Sequence, residues 1–182
     1  MADPLVGPST RAYALERSAT ERRRLVLQER VVGTITARFL EDAGVRPGMR
    51  VLDVGSGAGD VALLVARSLG PSGSVVGVDV DVESVETARQ RGAEAGLTNV
   101  EFVAADVAAT DVGSDFDAAV GRLVLMHLPD PVSVLHRLVS ALRPGGLLAF
   151  QEVQLESRWL SFPPSATLPE VQLIGAWTRL AT

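Results

Sequence analysis

Three glycines in a short stretch carry the most specific chemical signal in this sequence. Gly55, Gly57 and Gly59 follow the apolar run Val51–Val54, and residues 60–69 then carry apolar side chains at helical spacing. Glycine lets a backbone turn sharply and come close to a bound molecule. An apolar strand that leads through a glycine loop into a helix therefore predicts a binding site for a nucleotide-type ligand.

The residue that follows this loop narrows the choice of ligand. A dinucleotide-binding loop has the pattern G-x-G-x-x-G, whereas this chain has G-x-G-x-G with Asp60 in the place of the third glycine. Asp60 could simply stabilise the helix through its dipole, but its carboxylate would also repel a pyrophosphate. The loop therefore favours a cationic nucleoside without phosphates over a nicotinamide or flavin dinucleotide.

A second acid is placed to bind a ribose. Asp79 ends the predicted strand Ser74–Asp79 and lies 24 residues after Gly55, close to the spacing at which an acid accepts hydrogen bonds from ribose hydroxyls. Asp79 could instead cap the helix that follows, but Asp81 is better placed to do so. We therefore expect Asp79 to bind the ribose and Asp81 to cap the helix.

Composition narrows the possible class of protein. The chain has 182 residues, 47% of them hydrophobic, which suits one α/β domain with a buried parallel sheet. It has no cysteine and no lysine, which excludes disulfides, thiolate metal sites and Schiff-base lysine chemistry. With two histidines and a net charge of −5, we expect no metal and no nucleic-acid partner. We also expect no membrane helix and no signal peptide, and hence a cytoplasmic protein.

Five short apolar runs alternate with helical patterns. The expected strands are Arg50–Val54, Ser74–Asp79, Val100–Ala104, Phe116–Val120 and Leu147–Phe150. The expected helices run from Ser18 to Gly44, over Asp60–Leu69 and Glu83–Ala95, and from Asp130-Pro131 onward.

The stretch Val51–Asp60 resembles motif I of the class I S-adenosylmethionine-dependent methyltransferases, whose sulfonium cofactor is cationic. Asp79, Asp106 and the turn Leu142–Gly146 match further features of this family in the right order. The resemblance covers residues 11–152. It implies an α/β fold of the Rossmann-like, doubly wound type, with a mainly parallel sheet and helices on both faces, and S-adenosylmethionine as cofactor.

The resemblance also assigns residues around the cofactor. Asp106 would accept a hydrogen bond from the adenine amine beside the Val107 backbone, and the alternative for Asp106 is an ordinary loop acid. Arg122 could pair with the carboxylate of the methionine moiety or simply fix its loop. His127 could act as a general base or be structural. The cofactor-binding residues expected from the resemblance are Asp53, Gly55, Ser56, Gly57, Asp79, Val80, Asp106, Val107 and Arg122.

The sequence departs from the family pattern in two places. After the fourth strand it lacks the Asn/Asp-Pro-Pro-aromatic motif of nucleobase-modifying members, so the resemblance implies a small-molecule acceptor. The family sheet ends in two further strands, and no such pair fits residues 153–182, so we expect a truncated chain whose sheet lacks the last two strands. This tail is expected to hold a lid-like loop and one helix, Pro169–Leu180, outside the core 18–152 and the N-terminal segment 1–17.

Both ends of the chain carry features that the core does not explain. One set of residues looks like the N-terminal helix motif that closes over the cofactor in some small-molecule methyltransferases: Tyr13, Ser18, Glu21, Arg24 and Leu25. In the tail, Trp159 and Trp177 could line an acceptor pocket, form a contact in a homodimer, or pack under a lid.

Methyl transfer from S-adenosylmethionine to a small-molecule acceptor, by in-line displacement, is the function that these features predict. Two alternatives stay open. The missing strands favour a module that binds the cofactor without catalysis. A nicotinamide-dependent oxidoreductase is the other alternative, which the loop spacing and Asp60 disfavour.

Overall fold

The structure, a computed structural model, describes residues 32–152. The N-terminal segment 1–17, the predicted helix start at Ser18 with its motif, and the tail 153–182 with both tryptophans lie outside the described residues. Within the described part of the chain, no helix is long and apolar enough to cross a membrane.

Within residues 32–152, five parallel strands form one sheet in the order β3-β2-β1-β4-β5. Their bounds are β1 Arg50–Val54, β2 Ser74–Asp79, β3 Val100–Ala104, β4 Phe116–Arg122 and β5 Leu142–Gln151. All five predicted strands are present, and the first three have the predicted bounds. The prediction of a parallel, Rossmann-like sheet is confirmed.

The two remaining strands are longer than predicted. β4 extends to Arg122 because Gly121 and Arg122 pair with Phe150 and Gln151 of β5. β5 begins at Leu142 rather than at Leu147, with a shift of register opposite Asp117. The Arg-Pro-Gly-Gly turn is thus absorbed into an irregular strand start, which an ion pair of 2.5 Å between Arg143 Nε and Asp117 Oδ1 holds in place.

The described part of the chain has four α-helices beside the strands: α1 over residues 32–43, α2 Asp60–Leu69, α3 Val82–Glu94 and α4 Pro131–Ala141. A short 3-10 helix, Leu125–His127, follows β4. Asp81 caps α3 by accepting hydrogen bonds from the amides of Glu83 and Ser84, as predicted. Asp130 caps α4 by accepting from the amide of Ser133, with Pro131 at the first helical position.

The core lies on both faces of the sheet. Val51 of β1 packs in a cluster with Val61 of α2 and Val85 of α3, whereas the next residue, Leu52, packs in a second cluster with Leu138 of α4. Successive strand residues point to opposite faces, so this alternation places helices on both sides. The predicted doubly wound arrangement is confirmed.

The central position of β1 determines where a ligand can bind. From β1 the chain builds the sheet outward through β2 and β3, and then crosses back to add β4 and β5 on the other side. Ligands of such sheets bind outside the carboxyl ends of the strands, at the point where the order reverses. That point lies between the loop after β1 and the turn after β4.

Candidate cofactor site

The loop after β1 has a backbone conformation that favours glycine at each of its three glycine positions. Gly55, Gly57 and Gly59 have φ of +66°, +49° and +87°, in the left-handed region that L side chains rarely adopt. A Cβ at Gly59 would lie 2.9 Å from Phe102 Cζ, whereas a Cβ at Gly57 would meet nothing within 4 Å. The loop is therefore packed at Gly59 and open to a ligand at Gly57.

Asp53 lies near the end of β1, two residues before Gly55, and is a buried acid. Asp53 is 1% exposed, and no side chain among residues 32–152 hydrogen-bonds to either of its carboxyl oxygens. Burial raises the pKa of Asp53 to about 8, and the Ala62 amide and the positive charge of Arg122 only partly oppose this rise. A buried polar group without a partner is costly, so Asp53 is suited to meet a polar or cationic group of a ligand.

Ser56 repeats this pattern inside the loop. Its side chain is 7% exposed, and its hydroxyl oxygen also has no partner in the described part of the chain. The backbone of Ser56 is fixed, because the amides of Gly55 and Ser56 both donate to the carbonyl of Val78, at 2.8 and 3.0 Å. The backbone of the loop is therefore anchored to the end of β2, whereas the Ser56 hydroxyl makes no hydrogen bond within residues 32–152.

Asp79 joins the end of β2 to the glycine loop. Its Oδ2 accepts from the amide of Gly57 at 2.7 Å, and its Oδ1 accepts from the amide of Asp81 at 2.9 Å. The helix-cap alternative for Asp79 is wrong, since Asp81 caps α3. Each carboxylate oxygen keeps a further lone pair, so the ribose role stays a prediction. Val80 follows as an exposed apolar side chain, 69% accessible.

Asp106 lies in the loop after β3, beside Asp79. The amide of Ala105 donates to the carbonyl of Asp79 at 2.9 Å, which places the two loops side by side. Asp106 Oδ1 accepts from the amide of Ala108 at 2.8 Å, so the side chain supports its own turn, as the loop-acid alternative proposes. Val107 is buried at 8% exposure. The adenine contacts of Asp106 and Val107 stay predictions.

Asp60 differs from its predicted role, because its charge is compensated by two arginines. Asp60 Oδ1 lies 2.6 Å from Arg91 Nη1, and Asp60 Oδ2 lies 3.5 Å from Arg122 Nη2. The residue at the cap of α2 is Gly59, and Asp60 is the first helical residue. The negative charge of Asp60 alone therefore does not account for a preference of the loop for a cation.

Arg122 is the last residue of β4 and His127 lies in the turn after it, and the two side chains differ in how many contacts hold them. Arg122 Nη1 lies 3.4 Å from Thr36 Oγ1, which in turn donates to Gln151 Oε1 at 2.7 Å. With its contact to Asp60, Arg122 thus connects α2, α1 and β5. His127 is the last residue of the 3-10 helix and is exposed. Within residues 32–152, its ring has no hydrogen-bonding partner that would orient it as a base. Both roles proposed for His127 stay open.

Glu152 was given no role by the sequence, yet it contacts the turn after β4. Its Oε1 accepts from the amides of Val124 and Leu125, each at 2.9 Å. No local pattern identifies it, because an acid after the last apolar residue of a strand is common on protein surfaces. Arg91, the partner of Asp60 on α3, was not predicted either, because no local pattern distinguishes it from other arginines on a helix surface.

Comparison with known proteins identifies the family. The family described as "Methyltransferase domain" matches residues 46–173, which is more than half of the chain. Aklanonic acid methyltransferase DauC of Streptomyces sp. (strain C5) is 32% identical over 123 residues, 67% of this chain and 56% of that protein. Arsenite methyltransferase of Halobacterium salinarum is 35% identical over 112 residues, 61% of this chain and 29% of that protein.

A solved structure gives the same result. The SAM-dependent methyltransferase from Aquifex aeolicus superposes with a TM-score of 0.64 at 29% identity, covering 76% of each chain. The chain spans about half or less of the length of the two curated relatives. The glycine loop, the five-stranded parallel sheet and these matches together show that the chain belongs to the methyltransferase-domain family, within the class I S-adenosylmethionine-dependent methyltransferases.

Proposed function

We propose that the crevice at the carboxyl ends of β1 and β2 binds S-adenosylmethionine, and that the protein methylates a small-molecule acceptor. The observation that carries the proposal is Asp53, a buried carboxyl to which no side chain within residues 32–152 hydrogen-bonds, two residues before a glycine loop that is open at Gly57. Membership of the family supplies the identity of the donor, since the similar structure from Aquifex aeolicus is that of a SAM-dependent methyltransferase.

The residues around the crevice fit this cofactor group by group. Asp53 offers acceptors for the ammonium group of the methionine moiety, and Arg122 offers donors for its carboxylate. Asp79 would accept from the ribose hydroxyls, and Asp106 from the adenine amine. Ser56, in the same loop, has a hydroxyl oxygen without a hydrogen-bonding partner within residues 32–152. Each side chain would therefore meet a group of opposite hydrogen-bonding character.

When bound, S-adenosylmethionine supplies a methyl group that a positively charged sulfur activates for displacement. The part of the protein is to align the reactants and to exclude water, which can contribute about 7–11 kcal/mol. A general base is needed only where the acceptor must first lose a proton, and His127 is the candidate for that role. The exposed apolar side chains Leu123 and Met126 lie near it in sequence, on the same turn.

The acceptor is proposed only as a class. The two curated relatives are named for arsenite and for aklanonic acid, which have little chemistry in common. A core that serves both acceptors cannot itself specify either one, so we expect specificity to come from segments outside it. A homodimer and a cytoplasmic location stay predictions.

A module that binds the cofactor without catalysis is the second candidate. It is favoured by the exposed position of His127, whose ring has no hydrogen-bonding partner within residues 32–152 that would orient it as a base. A dinucleotide oxidoreductase has no such support, because the loop spacing and the family both disagree with it.

Titration calorimetry with S-adenosylmethionine and, separately, with a nicotinamide dinucleotide tests the proposal. We expect binding of the first ligand only. The protein is then incubated with methyl-labelled cofactor and a native cell extract, and labelled small molecules are identified. Binding without labelling would favour the binding module, whereas binding of the dinucleotide alone would overturn the proposal.

A further inference from the structure

Glu152, the residue after β5, hydrogen-bonds to the turn that follows the neighbouring strand β4. A single oxygen, Oε1, accepts from two successive amides, those of Val124 and Leu125. These amides open the 3-10 helix, where the first N–H groups have no partner within the helix, and Val124 supplies no side-chain cap of its own. Glu152 therefore supplies, from a distant part of the chain, the cap that this turn lacks.

The turn needs such a restraint because its backbone is strained. Leu123 has a φ of +56°, in the left-handed region, and is one of two residues other than glycine within 32–152 with a positive φ. Its amide donates to the carbonyl of Gln151 at 2.9 Å. Gln151 and Glu152 thus bind three successive amides of the turn, and strained backbone persists only where its surroundings hold it.

The restrained turn packs directly on the glycine loop. A Cβ at Gly55 would overlap the side chain of Val124, and a Cβ at Gly121 would lie 2.9 Å from Val124 Cγ1. Val124 therefore covers the first glycine of the loop at van der Waals distance. A shift of Val124 would change the space available to Gly55 and to the residues that follow it.

We propose that Glu152 is a positioning residue for the cofactor site: its carboxylate holds Val124 against Gly55 and thereby keeps the glycine loop in its binding conformation. This inference rests on the proposed function, because it assumes that the loop binds S-adenosylmethionine. It predicts that a side chain three strands away from Asp79 in the sheet controls cofactor affinity without touching the cofactor.

Glu152→Ala and Glu152→Gln test the role as a pair, each in the full chain and each titrated with S-adenosylmethionine. Glutamine keeps an oxygen that can accept from both amides, so its affinity should stay within about threefold of the wild type. Alanine leaves two amides without their partner and should weaken binding by about tenfold or more. Rescue by glutamine is the signature of positioning through these hydrogen bonds.

Leu69→Ala is the matched control for general loss of stability. Leu69 is buried at 1% exposure, at the opposite end of α2 from the loop, so its truncation should lower the melting temperature and leave affinity unchanged at temperatures where the protein is folded. Val124→Ala removes the contact with Gly55 without altering Glu152. It should weaken binding less than Glu152→Ala, and it carries the test if that variant does not fold.

The outcomes separate the two proposals. If the wild type does not bind S-adenosylmethionine, both the proposed function and the role of Glu152 fail. If the wild type binds and both Glu152→Ala and Val124→Ala bind equally well, only the inference about Glu152 is overturned. A loss in Glu152→Ala that Leu69→Ala reproduces, or that glutamine does not rescue, would also overturn it.

Discussion

The two sides of the cofactor crevice are held together by different kinds of contact. After β1 and β2, the loop is fixed by left-handed glycines and by the bond from Gly57 to Asp79, residues 22 apart in sequence. After β4 and β5, the turn is fixed by Glu152, 28 residues from Val124, and a hydrogen bond from Thr36 reaches Gln151, 115 residues away. The first side is therefore fixed largely by the backbone conformation of its own glycines, and the second is fixed by side chains from α1 and from the residue that follows β5.

This contrast separates the contacts that set the backbone conformation of the crevice from the groups that would bind a ligand. On the first side, a change to a glycine should damage the loop itself, while a change to an acid should affect what the loop binds. On the second side, the two effects cannot be assigned to different residues, because the hydrogen bonds of Glu152 that hold the turn also position Val124 against the loop. The experiments below vary one kind of contact at a time, and the first has the largest expected effect.

Gly55→Ala should abolish cofactor binding and destabilise the fold. Gly96 has the same φ, +66°, but a Cβ there would meet nothing within 4 Å. Gly96→Ala should therefore lower the free energy of unfolding only through the left-handed backbone conformation, by about 1–2 kcal/mol. Gly55→Ala adds an overlap with Val124, which typically costs about 1–3 kcal/mol more. Urea unfolding of both variants measures the difference.

Equal losses of unfolding free energy in the two alanine variants would show that Val124 is not packed against the loop. Calorimetry of the same proteins with S-adenosylmethionine separates the effects further. Gly96→Ala should bind as the wild type does, since Gly96 follows α3 and is remote from the loop after β1.

Asp53→Asn should make stability less dependent on pH. Asp53 titrates near its ordinary pKa of 3.8 when unfolded and at about 8 when folded. Between these values the folded state binds the extra proton, so this group lowers the free energy of unfolding as pH rises, by at most about 1.4 kcal/mol per unit of pH. Above about 8 the loss from this group is complete.

Urea unfolding of the wild type and Asp53→Asn from pH 5 to pH 9 gives the difference curve. The variant should gain stability relative to the wild type as pH rises, while its affinity for S-adenosylmethionine falls. A difference that does not change with pH would show that Asp53 has an ordinary pKa in the folded protein. A stabilised variant with full affinity would remove Asp53 from the binding site.

Whether the sequence predicts a feature of this structure depends on whether neighbouring or distant residues determine that feature. The bounds of β1, β2 and β3, the caps at Asp81 and Asp130 and the glycine loop were predicted because each depends on neighbouring residues. The irregular start of β5 was missed because it depends on an ion pair between Arg143 and Asp117.

Residues that act across the sheet were missed for a related reason. Glu152 and Arg91 have ordinary local surroundings, and their importance appears only when the chain folds and brings them to Val124 and to Asp60. The charge of Asp60 was interpreted in isolation, whereas in the structure two arginines compensate it. Sequence patterns thus identify the residues that shape a loop and omit the residues that restrain it from outside.

Asp79→Ala should weaken binding of S-adenosylmethionine by at least about tenfold, because it removes a hydrogen bond from Gly57 as well as the proposed acceptor of the ribose hydroxyls. Asp81→Ala is the control. It removes the cap of α3 and should cost about 1 kcal/mol of stability, while its backbone amide remains available to Asp79. Calorimetry and thermal unfolding of both variants are compared, and similar affinities in the two would exclude Asp79 as a cofactor-binding residue.

Asp60→Asn should have the smallest effect, and it tests whether Asp60 joins the two sides of the crevice. Asp60 contacts Arg91 from α3 and Arg122 from β4, but its side chain and that of Arg91 are each 34% exposed, so solvent screens the pair and the loss should be about 1 kcal/mol or less. Double-mutant cycles with Arg91→Met and with Arg122→Met, measured by urea unfolding, give the two coupling energies. The coupling to Arg91, at 2.6 Å, should exceed that to Arg122, at 3.5 Å, and both should shrink at high salt. A larger coupling to Arg122 would instead mean that Asp60 serves mainly to orient that arginine, and Asp60→Asn should then weaken cofactor binding as well.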